Sequence, residues 1–398
     1  MEIIYPANIR FPMERANSIQ VVNTCHALAR LGAKTHLVVR RMDGRSDAQC
    51  LAYYGLEPHP NLVIHRLPVL NTHWSEWLWN RSFQLLCVSC ILKLSMRAAA
   101  KAVFLRETGL ARLLLKMRGW IRPRIVFEMH TVEHLVKRYY SELMSDAGPL
   151  HAREEEAIRA KEFYICKHAD GIVCISESLR RMVEKELLRP RRCIVAHDAA
   201  GPIEGGGGER RSGIVYVGQL YPWKGADVLV RAMQHVEAPL TIVGGLPYED
   251  DMVRLKGLVS DLGIEGKVTF AGFVPPRDVA AHLRRAQVAV LPLPDNVMSR
   301  HFTSPLKLFE YMSHGVPIVA SDLPTVREVV SDGREAVLVA PGDAEALAGG
   351  IRRVLGDRGL AARLAENARR RAGEFTWEAR GRRILRFVED TVCGHARN

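Results

Sequence analysis

The sequence predicts an α/β protein built from two doubly wound, Rossmann-like domains. Short runs of β-branched and apolar residues alternate with amphipathic helical segments along most of the 398 residues. A run of glycines at 205–208 interrupts this alternation once, and the alternation then restarts. A chain of this length is long for one hydrophobic core and comfortable for two. We therefore expect two parallel sheets that bind ligands at the carboxyl ends of their strands.

The first domain opens with a strand at 3–5 and a helix that Gly32 ends. A charged helix is expected at 153–168. The remaining strands are predicted at 36–39, 62–67, 102–105, 124–129, 171–175 and 193–196. The segment 201–208, which is mostly glycine, reads as a linker or hinge because it has almost no side chains to pack.

The second domain repeats the pattern. Its strands are predicted at 213–218, 240–244, 268–271, 288–291, 317–320 and 336–339. A basic amphipathic helix follows Phe375, after the second sheet is complete, and we expect it to cross back to the first domain. The predicted domains are 1–203 together with 376–398, and 209–375.

Composition restricts the compartment and the partners. The formal net charge of +12 favours acidic partners such as phosphates, anionic lipids or nucleic acid. The amino terminus lacks the pattern of a signal peptide, so we expect a cytoplasmic protein with reduced cysteines. Cys87 and Cys90 form a Cys-x-x-Cys inside an apolar run with no second pair, which favours core or interface residues over a metal site.

The stretch 300–315 carries the strongest site pattern. Ser304 suits an N-cap, Pro305 suits the first helical position, and Gly315 suits a left-handed helix end. A helix beginning there would point its N–H groups at a loop carrying Arg300, His301 and Thr303, an arrangement that suits a phosphate.

Lys307 and Glu310 lie one turn apart on this predicted helix. A cation near the phosphates and a carboxylate that accepts both ribose hydroxyls would suit a nucleotide. An ordinary solvated helix face is the alternative interpretation. Gly218 and Lys224 follow the first strand of the second domain. A glycine at a strand end lets a ligand approach the backbone, and a lysine at the start of the next helix suits a diphosphate. A solvated loop lysine is the alternative.

Polar residues also follow strands of the first domain. His130 comes directly after the strand 124–129 and could bond a sugar hydroxyl or a transferred proton, or could be a satisfied strand-end histidine. Arg10, Glu14, Arg15 and Asn17 lie in the first strand-to-helix loop, where ordinary surface charge is the alternative.

Basic residues dominate the segment 81–124, which has Glu107 as its one acidic residue. Trp74, Trp77 and Trp79 precede it, and its apolar run is too short to span a bilayer. The segment suits peripheral binding to an anionic membrane. A basic face covering a buried helix is the alternative. Its basic residues are Arg81, Lys93, Arg97, Lys101, Arg106, Arg112, Lys116, Arg118, Arg122 and Arg124.

No Gly-x-Gly-x-x-Gly follows the first strand, and no Gly-Lys-Ser/Thr loop occurs, which argues against a dehydrogenase or a P-loop kinase. Several motifs instead resemble the retaining glycosyltransferases of family 4, which have the two-domain GT-B fold with a cleft between the domains. The resemblance covers most of the chain and rests on the segments 216–225, 241–245, 272–274, 304–312, 315–322 and 328–333.

The resemblance implies roles for individual residues. Lys224 and an arginine five positions earlier would bind the donor diphosphate, but Gln219 stands at the arginine's position. Glu310 matches the ribose-binding glutamate, whereas Phe302 replaces a second glutamate that would contact the transferred sugar. The remaining matches are Ser304, Pro305 and Leu306 for the helix start at the diphosphate, Phe273 and Val274 for the base, and His130 beside the reacting sugar.

The implied reaction moves a sugar from a nucleotide diphosphate sugar to an acceptor hydroxyl with retention of configuration. Lys224 and the Ser304 helix start would stabilise the leaving diphosphate, aided by Arg300 or Lys307 in place of the missing arginine. We expect no metal, no cofactor and no nucleic acid, and leave open a lipid-linked acceptor. A phosphorylase, a sugar-nucleotide epimerase and a catalytically silent binding module remain alternatives.

Overall fold

The computed structural model describes residues 1–13, 15–41, 44–69, 76–96, 101–120, 123–143, 150–201, 211–246 and 249–394. The chain divides into two compact units, Met1–His197 with Trp377–Asn398, and Asp198–Thr376. The sequence places residues 198–201 in the first domain, whereas the structure groups them with the second unit. The reason is that the Asp198 N–H donates to Ser304 Oγ at 2.8 Å and the Ala200 N–H to the Phe375 carbonyl at 3.0 Å. Apart from Gly201, the predicted linker lies outside the described residues.

The first unit contains one seven-stranded sheet in the order β3-β2-β1-β4-β5-β6-β7, with every pair parallel. Its elements are β1 Glu2–Pro6, α1 Ala16–Arg30, β2 Lys34–Arg40, α2 Asp47–Tyr53, β3 Leu62–Leu67, α3 Glu76–Ser95, β4 Lys101–Leu105, α4 Thr108–Lys116, β5 Arg124–Met129, α5 Glu133–Leu143, α6 Ala152–His168, β6 Gly171–Cys174, α7 Glu177–Glu186 and β7 Cys193–Val195. The central strands are buried on both faces, which explains their unbroken apolar sequences.

The second unit contains a six-stranded parallel sheet in the order β10-β9-β8-β11-β12-β13. Its elements are β8 Ile214–Val217, α8 Ala226–Ala232, β9 Leu240–Val243, α9 Asp250–Asp261, β10 Val268–Gly272, α10 Val279–Arg285, β11 Val288–Leu291, α11 Val297–His301, α12 Leu306–Ser313, β12 Ile318–Ser321, α13 Pro324–Arg327, β13 Val337–Val339, α14 Ala344–Gly356 and α15 Arg358–Ala372. The strand order reverses between β8 and β11, so the carboxyl end of β8 is a topological switch point.

The last helix, α16 Trp377–Cys393, belongs to the first unit, which confirms the predicted return of the chain. A Cβ atom at Gly381 would lie 3.1 Å from the side chains of Ala27 and Leu31 on α1. The ring of Phe387 lies over Gly171, 2.7 Å from where a Cβ there would stand. Two glycines thus allow α16 to pack closely on α1 and on the sheet.

The predicted strands are all present, with their ends within two residues of the predicted positions. The charged helix expected at 153–168 is α6. Cys87 is fully buried and Cys90 is half-buried, which agrees with their interpretation as core or interface residues. Burial raises the pKa of the Cys87 thiol, which makes it inert.

We expect Gly225→Ala to destabilise the second unit strongly. Gly225 has φ +72°, and an added Cβ would lie 1.8 Å from the Pro292 carbonyl oxygen. Gly263 is a matched control, because it has φ +64° but open space around it. We expect losses of roughly 3 kcal/mol or more for Gly225→Ala and about 1 kcal/mol for Gly263→Ala in urea unfolding. Equal losses would contradict the close approach at Gly225.

Candidate active site

Lys307 of α12 crosses the carboxyl end of β8 at Gly218. Gly218 has φ +141° and donates its N–H to the Val243 carbonyl at 2.7 Å. A Cβ atom on Gly218 would lie 1.7 Å from both Cε and Nζ of Lys307. Only glycine leaves room for the lysine, so the strand end and the helix together place an ammonium group at the switch point.

Lys224 adds a second positive charge to this place. It ends a short 3-10 turn that begins at Pro222, and Gly225 then opens α8 in the left-handed conformation. Burial lowers the pKa of Lys224. Burial, together with the charge of Lys224, also lowers the pKa of Lys307 to about 7, and Glu310 only partly offsets them.

Glu310 is the nearby acid, and it does not form an ion pair with either lysine. Burial raises the pKa of Glu310 to about 7, with Lys307 acting in the opposite direction. Within the described residues, no carboxylate oxygen lies within 4 Å of either lysine nitrogen. Lys307 Nζ instead lies 5.4 Å from the centre of the Tyr216 ring. Two half-buried lysines without a paired acid form a site suited to an anion.

The predicted helix start, with Ser304 as the N-cap, is wrong by one residue. Helix α12 begins at Leu306, and Pro305 occupies the N-cap position with φ −75° and ψ 104°. Ser304 Oγ does not cap the helix because it accepts the N–H of Asp198 instead. The predicted end is confirmed, since Gly315 has φ +55° and the Val316 N–H donates to the Tyr311 carbonyl at 3.1 Å.

Part of the segment before α12 is helical rather than a loop, whereas Thr303 lies in the non-helical stretch 302–305. Arg300 and His301 belong to α11, whose cap is the side chain of Asn296. Arg300 is exposed, and it donates through Nε and Nη2 to the carboxylate of Asp295. Thr303 Oγ1 donates to the Met298 carbonyl at 2.8 Å. The structure therefore brings Lys307, rather than Arg300, next to Gly218.

The remaining donor-side residues differ in exposure. Gln219 accepts a hydrogen bond from the Tyr216 hydroxyl through its backbone carbonyl at 2.7 Å. Phe302 is only 5% exposed, so it packs as a core residue. Phe273 is 39% exposed and Val274 is half-buried, at the end of β10 beyond Gly272. An exposed ring there is free to contact a ligand.

His130 belongs to the first unit and directly follows β5. Its Nε2 lies 3.3 Å from Oε2 of Glu128, a fully buried carboxylate. Burial and the positive charge of Arg106 lower the pKa of His130 to about 4, and Glu128 acts in the opposite direction. The imidazole is therefore neutral near pH 7 and can exchange hydrogen bonds with a bound molecule.

Other predicted residues of the first loop are spread along it. Arg10 is exposed, with its guanidinium carbon 5.7 Å from the centre of the Trp79 ring, and Arg15 is exposed just before α1. Asn17 has a buried Oδ1 without a hydrogen-bond partner in the described part of the chain. Glu14 lies outside the described residues.

Neither Arg380 nor Glu128 is predicted from the sequence as a functional residue. Arg380 is 3% exposed, on the face of α16 that also buries Ile384 and Val388. An arginine at helical spacing on an apolar face was the available signal, because such a charge is rarely buried without a partner.

The basic segment is less one-sided in the structure than its sequence suggests. Lys101 is buried 3.7 Å from Glu2, and Arg118 and Arg124 both pair with Asp170. Trp79 lies beneath the Arg40 guanidinium at 3.6 Å, so it is not a surface anchor. Arg97, Arg122 and Trp74 lie outside the described residues, and the side chain of Trp77 is not described.

An exposed face nevertheless runs along α3. It carries the apolar side chains of Leu78, Leu85 and Met96, which are 45%, 68% and 78% exposed, together with Arg81, Ser89 and Lys93. Trp120, after α4, is 83% exposed. Across the described helices, none combines the length and the hydrophobicity needed to cross a bilayer.

Comparison with known proteins finds similarity to sugar-transferring enzymes. A model of the family "Glycosyl transferases group 1" matches residues 206–371. The D-inositol 3-phosphate glycosyltransferase of Acidothermus cellulolyticus is 31% identical over 223 residues, covering 53% of this chain and 47% of that protein. The corresponding enzyme of Geodermatophilus obscurus is 30% identical over 287 residues, covering 65% and 61%. The match thus spans about half to two thirds of these relatives.

Solved structures resemble the whole chain. The sucrose-phosphate synthase of Thermosynechococcus elongatus superposes with a TM-score of 0.77 at 20% identity, covering 99% of both chains. Anabaena Alr3699/HepE in complex with UDP-glucose gives a TM-score of 0.69 at 16% identity, covering 98% of this chain and 100% of that one. At such identities the likeness shows the fold alone. The chain thus has the GT-B fold, and residues 206–371 of its second unit match the model of the glycosyl transferases group 1 family.

Proposed function

We propose that this protein is a retaining glycosyltransferase that moves a sugar from a nucleotide diphosphate sugar to an acceptor hydroxyl. The observation that carries the proposal is the position of Lys307 across Gly218, beside Lys224 and one turn before Glu310. Two ammonium groups without a paired acid suit a diphosphate, and the carboxylate suits the two ribose hydroxyls. The relatives' names support glycosyl transfer, and the UDP-glucose in the Anabaena complex supports a nucleotide-sugar donor.

The chemistry requires charge stabilisation on the leaving group. As the bond between the sugar and the diphosphate breaks, negative charge grows on the diphosphate oxygens, and Lys224 and Lys307 offset it. Lys307 takes the place of the family's arginine, whose position Gln219 occupies here. The departing diphosphate accepts the proton of the acceptor hydroxyl on the same face of the sugar, which gives retention. No metal ion or cofactor takes part in this proposal.

Other groups complete the donor site. The exposed ring of Phe273, with Val274, receives the base. His130 contacts the transferred sugar as a neutral imidazole. Phe302 is buried where the family has a glutamate, so sugar recognition depends on other side chains. Arg10, Arg15 and Asn17 are proposed on the acceptor side.

We expect Glu310→Gln to weaken nucleotide-sugar binding by roughly 1–3 kcal/mol, because a carboxylate makes stronger hydrogen bonds to hydroxyls than an amide. Calorimetry with UDP-glucose and GDP-mannose tests this, and release of the nucleotide from either sugar tests turnover. Glu345→Gln, an exposed change on α14, is the matched control. A wild-type protein that binds and turns over neither kind of donor would exclude the proposed function.

We expect donor affinity to be highest near pH 7. Lys307 binds the diphosphate only when protonated, so affinity falls by at most about tenfold per pH unit as the pH rises above its pKa of about 7. Glu310 binds ribose best when ionised, so affinity also falls as the pH drops below about 7. Calorimetry with a nucleotide sugar from pH 5.5 to 9 measures both limbs. Lys307→Arg should remove the alkaline limb alone, and an unchanged alkaline limb would exclude Lys307 as a diphosphate ligand.

Peripheral membrane binding is a further part of the proposal, and the exposed face of α3 supports it. Basic and apolar side chains alternate on this face, which suits the surface of an anionic leaflet. The proposed location is the cytoplasmic face of a membrane, where a lipid-linked acceptor hydroxyl would be within reach.

We expect the protein to co-sediment with anionic vesicles at low salt and to be released at high salt. Charge reversal at Arg81 and Lys93 to Glu should abolish binding, because each basic residue contributes about 1 kcal/mol near such a surface. Reversal at Lys185 and Arg189, which are exposed elsewhere on the same unit, is the control. Equal recovery with anionic and neutral vesicles at both salt concentrations would contradict membrane binding.

A further inference from the structure

The carboxylate of Glu128 lies at the centre of a buried polar cluster in the first unit. It accepts the Tyr5 hydroxyl at 2.6 Å on Oε2 and the Gln20 amide at 2.8 Å on Oε1. Nη2 of Arg380 also donates to Oε1. Glu128 has no exposed surface, so its charge depends entirely on these donors.

Arg380 connects this cluster to two other parts of the unit. Its Nε donates to Thr24 Oγ1 on α1 at 3.2 Å. Its Nη1 donates to the carbonyls of Ala196 and His197, the latter at 2.7 Å, directly after β7. A planar guanidinium with donors in a fixed fork can satisfy these acceptors together, whereas a lysine cannot. Arg380 is therefore fixed in place, and it fixes the side of Glu128 that it contacts.

The other oxygen of Glu128 faces His130. Oε2 accepts the tyrosine hydroxyl and lies 3.3 Å from His130 Nε2, an ion-pair distance at which the ring nitrogen is not aligned for a hydrogen bond. An ionised carboxylate has no hydrogen to donate and attracts a nearby N–H electrostatically, which favours the ring hydrogen on the nitrogen that faces it. His130 Nδ1 is then left as the hydrogen-bond acceptor of the ring.

We propose that Arg380 is a positioning residue for His130, acting through Glu128 to hold the imidazole in one orientation and one tautomer. The proposal rests on the proposed function for its catalytic meaning, because His130 is there assigned to the transferred sugar. It makes the C-terminal helix a component of the active site, although no residue of α16 needs to contact the substrate. The arrangement is the same as that of a metal-bound histidine oriented by a carboxylate behind it.

Charges from every neighbouring element bear on His130. Arg106 after β4 and Arg380 on α16 oppose its protonation, and Glu128 on β5 favours it. Burial by itself raises the pKa of Glu128, but Arg380, His130 and Arg106 together hold that pKa below its usual range. Tyr5 and Cys25 also face this carboxylate, and burial keeps both uncharged. Glu128 and Arg380 thus act in opposite directions on the pKa of His130.

The test is a pH titration of His130 by NMR with ring-¹⁵N histidine, assigned with His130→Gln. We expect the Nε2–H tautomer in the wild type. Glu128→Gln should lower the pKa of His130 and Arg380→Met should raise it, each by about one unit. If the two substitutions only disrupted the local structure, the pKa of His130 would shift in the same direction in both variants, towards that of an exposed histidine. Arg386→Gln, an exposed charge removal on the same helix, is the control and should leave the titration unchanged.

The single variants leave one buried charge without its partner and can fail to fold. The double variant Glu128→Gln with Arg380→Met removes both charges and keeps the test decisive. We expect it to populate both tautomers of His130. A double variant with the wild-type pKa and tautomer, or an equal shift in Arg386→Gln, would overturn the proposal.

Transfer kinetics provide an independent readout. We expect Arg380→Met to lower kcat at least about tenfold with little change in donor KM, and Arg380→Lys to recover part of the loss. The NMR titration needs no substrate, so a failure of the proposed function can be distinguished from a failure of the role proposed for Arg380. An inactive wild type with the expected titrations would contradict the proposed function alone, and an active wild type with unmoved titrations would contradict the role of Arg380 alone.

Discussion

The buried ion pair between Arg380 and Glu128 is the interaction on which the first unit depends. The two residues are 252 positions apart, so the pair forms only after α16 has docked on the sheet. Burying two charges is costly unless their remaining donors and acceptors are also satisfied. Here the carboxylate has three donors and the guanidinium has partners on α1 and after β7. These contacts fix the position of α16 on the sheet. The same position determines which charges surround His130.

The second unit has the opposite electrostatic arrangement. Lys224 and Lys307 are taken partly out of water, repel each other, and have no carboxylate within ion-pair distance in the described residues. The pKa of each falls, which is the expected consequence of burial without compensation. Stability alone would favour an acid between them. Retaining the repulsion is reasonable where an anionic ligand supplies the missing charge, as a diphosphate would.

The sequence predicted the strands, their parallel order and the return of the last helix because these depend on local apolar periodicity and on glycines. It predicted Lys224 because this residue follows a strand end, and Lys307 and Glu310 because they lie one turn apart on a predicted helix. It misplaced the start of α12 because Ser304 bonds to Asp198, 106 residues away, and no local rule contains that contact. It assigned Arg300 to a loop and to the diphosphate because the short helix α11, which pairs Arg300 with Asp295 just before it, has no clear local signal. It missed Arg380 because the partners of a buried arginine are set by tertiary packing.

The replacement of the family's arginine by Gln219 changes the kind of positive charge at the proposed donor site as well as its source. An arginine after β8 would be charged at every physiological pH, whereas Lys307 has a pKa of about 7 and sits on a different element. Its ammonium reaches the strand end only because Gly218 has no side chain. The position of the charge therefore depends on both residues, because a side chain at position 218 would displace the end of the lysine from the strand end. A site built in this way gains its full charge as the diphosphate binds, since the ligand raises the pKa of the lysine that holds it.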